Sequence, residues 1–303
     1  MPFKKNTVII ITGPTAVGKT VVAIQLAKHF QTEIISADSR QCFKELNIGV
    51  ARPSETELME VKHHFIASHS VQQEMTAVIF EQYALQKIAD LFKEHDYVMM
   101  VGGTGLYIKA FCEGLDMIPE IDPVLRQSII KSFNENGIGW LQQQLQEKDP
   151  LFNKTGEMQN PQRMMRALEV MESTGESILS FRKGVKTKRD FNIIIIGLEL
   201  PKEELNNKIK ARVENMMTAG LLGEVKGLVH LKNLNALRTV GYAELFDHID
   251  GNSSLEEAVM RIKNATRHYA KRQLTWFRKN KEVQWFSPFQ LKEMIETVTT
   301  LSK

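Results

Sequence analysis

The residues best suited to chemistry come early in the chain. In the stretch ITGPTAVGKT, residues 11–20, an apolar run stops at a glycine-rich turn that closes with Lys19 and Thr20. Gly13, Gly18, Lys19 and Thr20 meet the spacing G-x-x-x-x-G-K-[ST], between the strand-like TVIIIT and the helix-like VVAIQLAKHF. Gly13, Pro14, Thr15, Ala16, Val17, Gly18, Lys19 and Thr20 would then form a loop whose backbone N–H groups face an anion at a helix start, where the dipole also favours negative charge. Lys19 would reach the terminal phosphates, and the Thr20 hydroxyl is the candidate ligand for a magnesium ion.

A nucleoside triphosphatase also needs an acid at the end of a neighbouring apolar strand. The strand in YVMMVGGTGLYIKA ends in Gly102, Gly103 and Thr104, and its nearest acid, Asp96, precedes it, at the wrong edge of a sheet that binds ligands at its carboxyl ends. The strand in TEIISADSRQ instead delivers Asp38, Ser39 and Gln41 to that edge. Asp38 there serves equally well as a proton acceptor or as a simple cap of the following turn, and position alone does not separate the two. A phosphate cradle, one carboxylate and a Gly-Gly-Thr turn on one rim suit transfer of a group away from a diphosphate, with water not required as the nucleophile.

The elements that must position these residues follow from composition and periodicity. The chain has 303 residues, 43% hydrophobic and 25% charged, a net charge of +3 and a sequence pI near 8.7. That allows a large core with one insertion and permits, without requiring, a nucleic-acid partner. Cys42 and Cys112 form no metal-spaced cluster, so free thiols and a cytoplasmic location are expected. The apolar run after Lys4 and Lys5 flows straight into the phosphate loop and falls short of the roughly 18 residues that span a bilayer, so no membrane association is expected. The fold class expected is α/β: a P-loop NTPase-like parallel sheet flanked by helices, formed by residues 1–115 and 191–303, with an all-helical insertion domain over residues 116–190. FNIIIIGLEL returns the chain to the sheet.

Two segments are basic in a patterned way. Arg163 and Arg166 are three apart in NPQRMMRALEV and share a helix face, with Gln162 beside the first. In AVMRIKNATRHYAKRQLTWFRKNK, a turn of about 100° per residue puts Ile262, Ala265, Tyr269 and Trp276 on one stripe and Arg267, Lys271 and Arg278 on the other side. Such a face is either a solvated surface or a contact for a phosphate backbone. His63 and His64 are adjacent, so their side chains diverge, and a structural or substrate-contact role is expected of them in place of a zinc site.

The ordered set GPTAVGKT, ADSRQ, HHF, VGGTGLYIKA, NPQRMMRALEV, TVGY and ATRHYAKRQLTWFRK closely resembles the bacterial tRNA dimethylallyltransferases, over nearly the whole chain. The resemblance implies transfer of a dimethylallyl group from dimethylallyl diphosphate to N6 of adenosine 37, beside the anticodon, in tRNAs reading codons that begin with U. The loop would hold the donor's diphosphate, with Mg2+ as cofactor. Asp38 matches the general base, and Ser39, Arg40 and Gln41 lie where tRNA is gripped. Thr104 matches a contact to the target nucleotide and diphosphate, and Arg212 an arginine near the diphosphate, so Lys19, Asp38, Thr104 and Arg212 are the expected catalytic set. Arg126, Gln162, Arg163 and Arg166 match tRNA contacts in the insertion, and Arg267 and Lys271 fall in a tRNA-binding helix. The partners implied are the anticodon stem-loop and the prenyl diphosphate, with the enzyme a monomer. Cys42, Phe43 and Arg52 depart from the family's usual residues.

A free-nucleotide prenyltransferase would need neither the helical insertion nor the cationic tail face, and a small-molecule kinase is disfavoured by the strand that ends in Gly102 and Gly103. Replacing Arg267 and Lys271 by glutamine should weaken tRNA binding and flatten its salt dependence by roughly one charge per lost phosphate contact. Binding titrations from low to high salt check this, and an unchanged slope would make the face plain solvated surface.

Overall fold

The structure, a computed structural model, describes residues 6–155 and 157–303. Among these, the chain runs β1 (Thr7–Thr12), α1 (Lys19–His29), β2 (Ile34–Ser36), α2 (Glu55–Glu60), β3 (His63–His64), α3 (Ala77–Leu91), β4 (Tyr97–Val101) and α4 (Gly105–Glu113). It continues through α5 (Pro123–Lys148), α6 (Pro150–Asn153), α7 (Pro161–Thr174) and α8 (Ile178–Phe181). It closes with β5 (Asn192–Leu198), α9 (Lys202–Thr218), α10 (Leu221–Gly227), α11 (Tyr242–Ile249), α12 (Leu255–Phe277), β6 (Gln284–Phe286) and α13 (Leu291–Leu301).

The strands form one parallel sheet in the order β3-β2-β4-β1-β5-β6. Every residue of β1 is buried, as expected for a central parallel strand covered by helices on both faces, which reads as an unbroken β-branched run. Parallel register aligns Ile11 of β1 with Val101 of β4 and Ile196 of β5, so the three strands end side by side. The loops that follow them share one edge.

Two strands have no sequence signal. β3 is two residues long and β6 three, too short for the alternation that marks a strand. The tail helix α12 also differs in phase from expectation. Its buried positions are Ala258, Ile262, Ala270, Gln273 and Phe277, whereas Trp276, placed on the packed stripe by periodicity, is 39% exposed. The stripe turns because Gln273, a polar residue that an apolar count skips, takes a core position.

The chain divides into two compact units: residues up to Cys112 together with Lys188–Lys303, and Glu113–Thr187. The divide thus falls slightly before the expected positions 116 and 190. The first unit packs α1, with Val22, Ala23, Leu26 and Ala27, against Ile9, Ile11, Met99 and Ile196 of the sheet. The second is helical and has its own core of Ile129, Leu141, Leu145, Phe152, Met164 and Leu168. Its α5 is broken at Gly137, where φ is 73° and ψ −169°, a conformation that glycine adopts without penalty.

Within the first unit, one carboxylate ties a long loop to the later helices. Glu224 of α10 accepts hydrogen bonds from the backbone N–H of Asn47 (3.2 Å), Ile48 (2.8 Å) and Gly49 (3.1 Å), and from the hydroxyl of the fully buried Tyr242 at 2.5 Å. Arg52 completes the loop by donating to the carbonyls of Phe43, Lys44 and Leu46, so this departure from the family pattern has a structural use. Truncating Glu224 to alanine strands these donors, and we expect a loss of about 1–3 kcal/mol in unfolding free energy. Urea denaturation of Glu224→Ala against the parent protein measures it.

Candidate active site

The phosphate loop owes its shape to two close approaches. Gly13 has φ +137°, and a Cβ there would run into the backbone of Leu198 at the end of β5, so only glycine fits between the two strands. Gly18 (φ 107°) is the left-handed N-cap of α1 and places no side chain over the helix start, and α1 has no acid in its first turn. That helix end therefore presents its first N–H groups and its positive dipole to the loop.

Lys19 folds back over this loop, donating from Nζ to the carbonyls of Gly13 (3.1 Å) and Pro14 (2.8 Å). Its pKa is lowered from the usual 10.5 to about 7, chiefly by burial and next by the nearby Arg212 guanidinium, with Asp38 acting in the opposite sense. The pKa of Arg212, on α9, is lowered too, again mainly by burial and against the pull of Asp38. Two buried cations thus face one carboxylate, an imbalance that an entering anion corrects.

Asp38 stands two residues past the end of β2. Its Oδ1 accepts from the N–H of Arg40 at 2.9 Å and of Gln41 at 3.3 Å, so the capping role left open by the sequence is real. It also leaves the second oxygen without a hydrogen-bond partner among the described residues. One carboxylate therefore holds its turn through one atom and faces the cleft through the other.

The Gly-Gly-Thr turn is locked onto this turn. The Thr104 hydroxyl accepts from the Ser39 N–H at 3.0 Å and lies 3.4 Å from the Ser39 hydroxyl, while the Thr104 N–H donates to the Ala37 carbonyl at 3.3 Å. A Cβ on Gly102 would overlap the backbone of Ala37. The Gln41 side chain also holds the frame: its amide donates to the carbonyls of Ala51 (2.9 Å) and Val50 (3.3 Å), and its oxygen accepts from Ser36 at 3.3 Å. Lys19, Thr20, Ser36, Asp38, Gln41, Pro53, His63, Ile66, Val101 and Gly102 line a cleft of about 320 Å³, open to solvent.

Gln273 is a site residue that sequence reasoning missed. Its Oε1 accepts from the Thr15 N–H of the phosphate loop at 2.8 Å, and its Nε2 donates to the Gly103 carbonyl at 2.9 Å. One buried amide of α12 thereby fixes the distance between the two loops. The signal available was a polar residue at the spacing 262, 270, 273, 277 of buried positions.

The arginines of the helical unit are paired. Arg126 and Arg166 both reach the buried Glu169, at 3.4 and 3.2 Å, and Arg163 bonds Glu157. Asn160 caps α7 by accepting from the Arg163 N–H at 3.3 Å, and Pro161 follows, so Gln162 and Arg163 occupy the first turn of that helix, where anions are favoured. In the tail helix, Arg267 donates to Asn264 and Arg278 pairs with Glu199 at 2.8 Å, while Lys271 is exposed. The structure brings Lys19, Thr20, Asp38, Ser39, Gln41, Thr104 and Arg212 together in the first unit, and gathers Arg126, Gln162, Arg163 and Arg166 in the second.

Cys42 is fully buried, and burial pushes its thiol up to about 12, which leaves it unreactive. His64 turns to Glu33, with Nε2 2.5 Å from the carboxylate, and His63 turns to the cleft. No group of three metal-ligating side chains occurs among the described residues, and no helix is long and apolar enough to cross a membrane.

A parallel sheet with a phosphate loop after its central strand, two buried cations and a single carboxylate on the same edge defines a P-loop-type protein equipped for group transfer from an anionic donor. Comparison with known proteins narrows this class: a family model described as IPP transferase matches residues 41–280. The chain belongs to the IPP transferase family. It is 45% identical over 294 residues to the tRNA dimethylallyltransferase of Cytophaga hutchinsonii, covering 97% of both chains, and 48% identical over 281 residues to that of Christiangramia forsetii, covering 93% of both. The crystal structure of the tRNA isopentenylpyrophosphate transferase from Bacillus halodurans is similar with a TM-score of 0.73 and 32% identity, over 98% of this chain and 97% of that one.

Lys19 supplies a pH test of the cradle. An anion restores its charge, so binding inorganic diphosphate above pH 7 should take up a proton, and affinity should fall as pH rises through about 7. Calorimetry in buffers of different ionisation enthalpy reads the proton directly, and Lys19→Met should abolish the uptake.

Proposed function

We propose that this protein transfers the dimethylallyl group of dimethylallyl diphosphate to N6 of adenosine 37 in tRNAs reading codons that begin with U. The observation that carries the reading is that Asp38 lies near both Lys19 and Arg212 and lines the cleft beside the phosphate loop, a proton acceptor adjoining a cradle for the leaving diphosphate. Family membership and the full-length likeness to tRNA dimethylallyltransferases support it.

In the reaction the N6 nitrogen attacks the allylic carbon, the carbon–oxygen bond breaks with its electron pair staying on the diphosphate, and the amine loses one proton to Asp38. The amine is a weak nucleophile, so holding it in line with the carbon supplies much of the rate. The adenine must leave its loop to enter the cleft. Lys19, Arg212 and the loop N–H groups stabilise the charge that develops on the diphosphate, and Thr104 orders the turn that carries Asp38.

The cleft suits a magnesium ion that arrives with the diphosphate: it offers the hydroxyl oxygens of Thr20 and Ser36, a small set that substrate oxygens and water would complete. Bound there, the ion would neutralise charge on the departing diphosphate. Ser39, Arg40, Gln41 and Thr104 are proposed to border the target nucleotide. Arg126, Gln162, Arg163 and Arg166 are proposed to grip the tRNA backbone, as are Arg267 and Lys271. The ion pairs of Arg126, Arg163 and Arg166 hold those side chains in place before binding, which lowers the ordering cost. We place the enzyme in the cytoplasm, acting as a monomer.

Labelled dimethylallyl diphosphate, with magnesium and either unmodified tRNA, AMP or ATP, tests the reading: label on tRNA adenosine supports it, and label on free nucleotides alone overturns it. Asp38→Asn keeps the cap to Arg40 and Gln41 and removes the base. It should cut kcat by about 10²–10⁴-fold while tRNA affinity stays close to that of the parent; loss of binding in proportion would deny Asp38 the role of base.

A further inference from the structure

The cleft holds one polar atom that the proposed reaction leaves idle. His63 Nδ1 lies 2.7 Å from the Val61 carbonyl. A carbonyl only accepts, so Nδ1 carries the proton and Nε2 is a bare lone pair. Burial lowers the pKa of His63, consistent with the neutral ring. Nε2 is itself buried and has no hydrogen-bond partner among the described residues, yet His63 lines the same cleft as Lys19, Asp38 and Gln41. A buried acceptor left unmatched is costly, and a site retains one when a ligand completes it.

Resting on the proposed function, we infer that His63 Nε2 accepts a hydrogen bond from the N6 amine of the target adenine, taking the proton that Asp38 does not remove. The diphosphate and the dimethylallyl group offer no N–H or O–H donor. The ring nitrogens of adenine are acceptors, so its exocyclic amine, with two protons, is the donor of the base. One proton leaves to Asp38; the other, once the base fills the cleft and displaces its water, needs an acceptor of its own. The neighbouring acceptors already hold one donor each, Gln41 Oε1 from Ser36 and the carbonyls of Val50 and Ala51 from Gln41 Nε2, whereas His63 Nε2 holds none.

The arrangement orients the amine with its lone pair toward the donor carbon. It also discriminates between bases. A base with a carbonyl oxygen in place of the amine would set lone pair against lone pair at Nε2, so His63 selects adenine over hypoxanthine and guanine as well as positioning it.

Two polar variants separate this role from a structural one. His63→Gln returns an acceptor near the Nε2 position, whereas His63→Asn returns a polar group near Nδ1, able to serve Val61, and leaves the Nε2 position empty. With wild type first shown to prenylate an anticodon stem-loop, whose failure would sink the parent reading and not this one alone, kcat and KM are measured for both variants. We expect His63→Asn to lose about 10- to 100-fold in kcat with little change in KM for dimethylallyl diphosphate, and His63→Gln to recover most of the rate. The inference is overturned if His63→Asn matches wild type, if Gln is as impaired as Asn, if the loss appears only in KM for the donor, or if the Asn defect disappears when the target nucleotide is 2′-deoxyadenosine, which would assign the acceptor to the ribose.

Discussion

The structure is organised around the cost of burying positive charge. Arg212 lies close enough to depress Lys19, and burial takes water from both. Two loop carbonyls and one carboxylate compensate only in part. An anion with several charged oxygens is what this arrangement lacks. The backbone adds to the demand, since α1 opens on a glycine cap with no acid in its first turn. On the proposed function, affinity for a diphosphate and stabilisation of a departing one would be the same electrostatic property, and a single carboxylate would suffice to accept the proton.

Reactive geometry then depends on holding three loops at a fixed spacing, and the molecule does this with contacts that leave no room for adjustment. Gly13 sits against Leu198 and Gly102 against Ala37, each with no space for a side chain. Gln273 spans the phosphate loop and the Gly-Gly turn with one amide, and Thr104 joins the latter to the Asp38 turn. Asp38 cannot move without breaking its own cap. The scaffold thus places Asp38 by backbone contacts and buried amides, whose geometry is more confined than that of long charged side chains.

The helical unit solves a different problem. For the tRNA contact proposed above, the target would be a diffuse phosphate backbone, where charge in a stable arrangement matters more than ångström accuracy. Glu169, buried beneath Arg126 and Arg166, and Glu157 beside Arg163, hold these side chains in defined positions. Such pairs contribute little stability where they are exposed; what they do here is order the cations.

Local patterns are legible in the sequence because they report local physics. The phosphate loop follows from glycine conformations and the start of a helix, β1, β4 and β5 from unbroken β-branched and apolar runs, and the helical unit from capping signals such as Asn160-Pro161. Even Asp38 could be placed at the correct edge, because parallel strands all present their carboxyl ends to one side. What stayed hidden depends on partners distant in the chain. Gln273 acts on Thr15, 258 residues away, and Glu224 on Ile48, 176 residues away. β3 and β6 exist only because β2 and β5 offer edges to pair with. Trp276 left the expected stripe because the core accepted a glutamine. The sequence alone determined which segments could bind an anion and lie in a sheet; only the tertiary structure decided which polar atoms found partners and which, like His63 Nε2, were buried without one, because hydrogen-bond satisfaction is a property of three-dimensional neighbours and not of spacing along the chain.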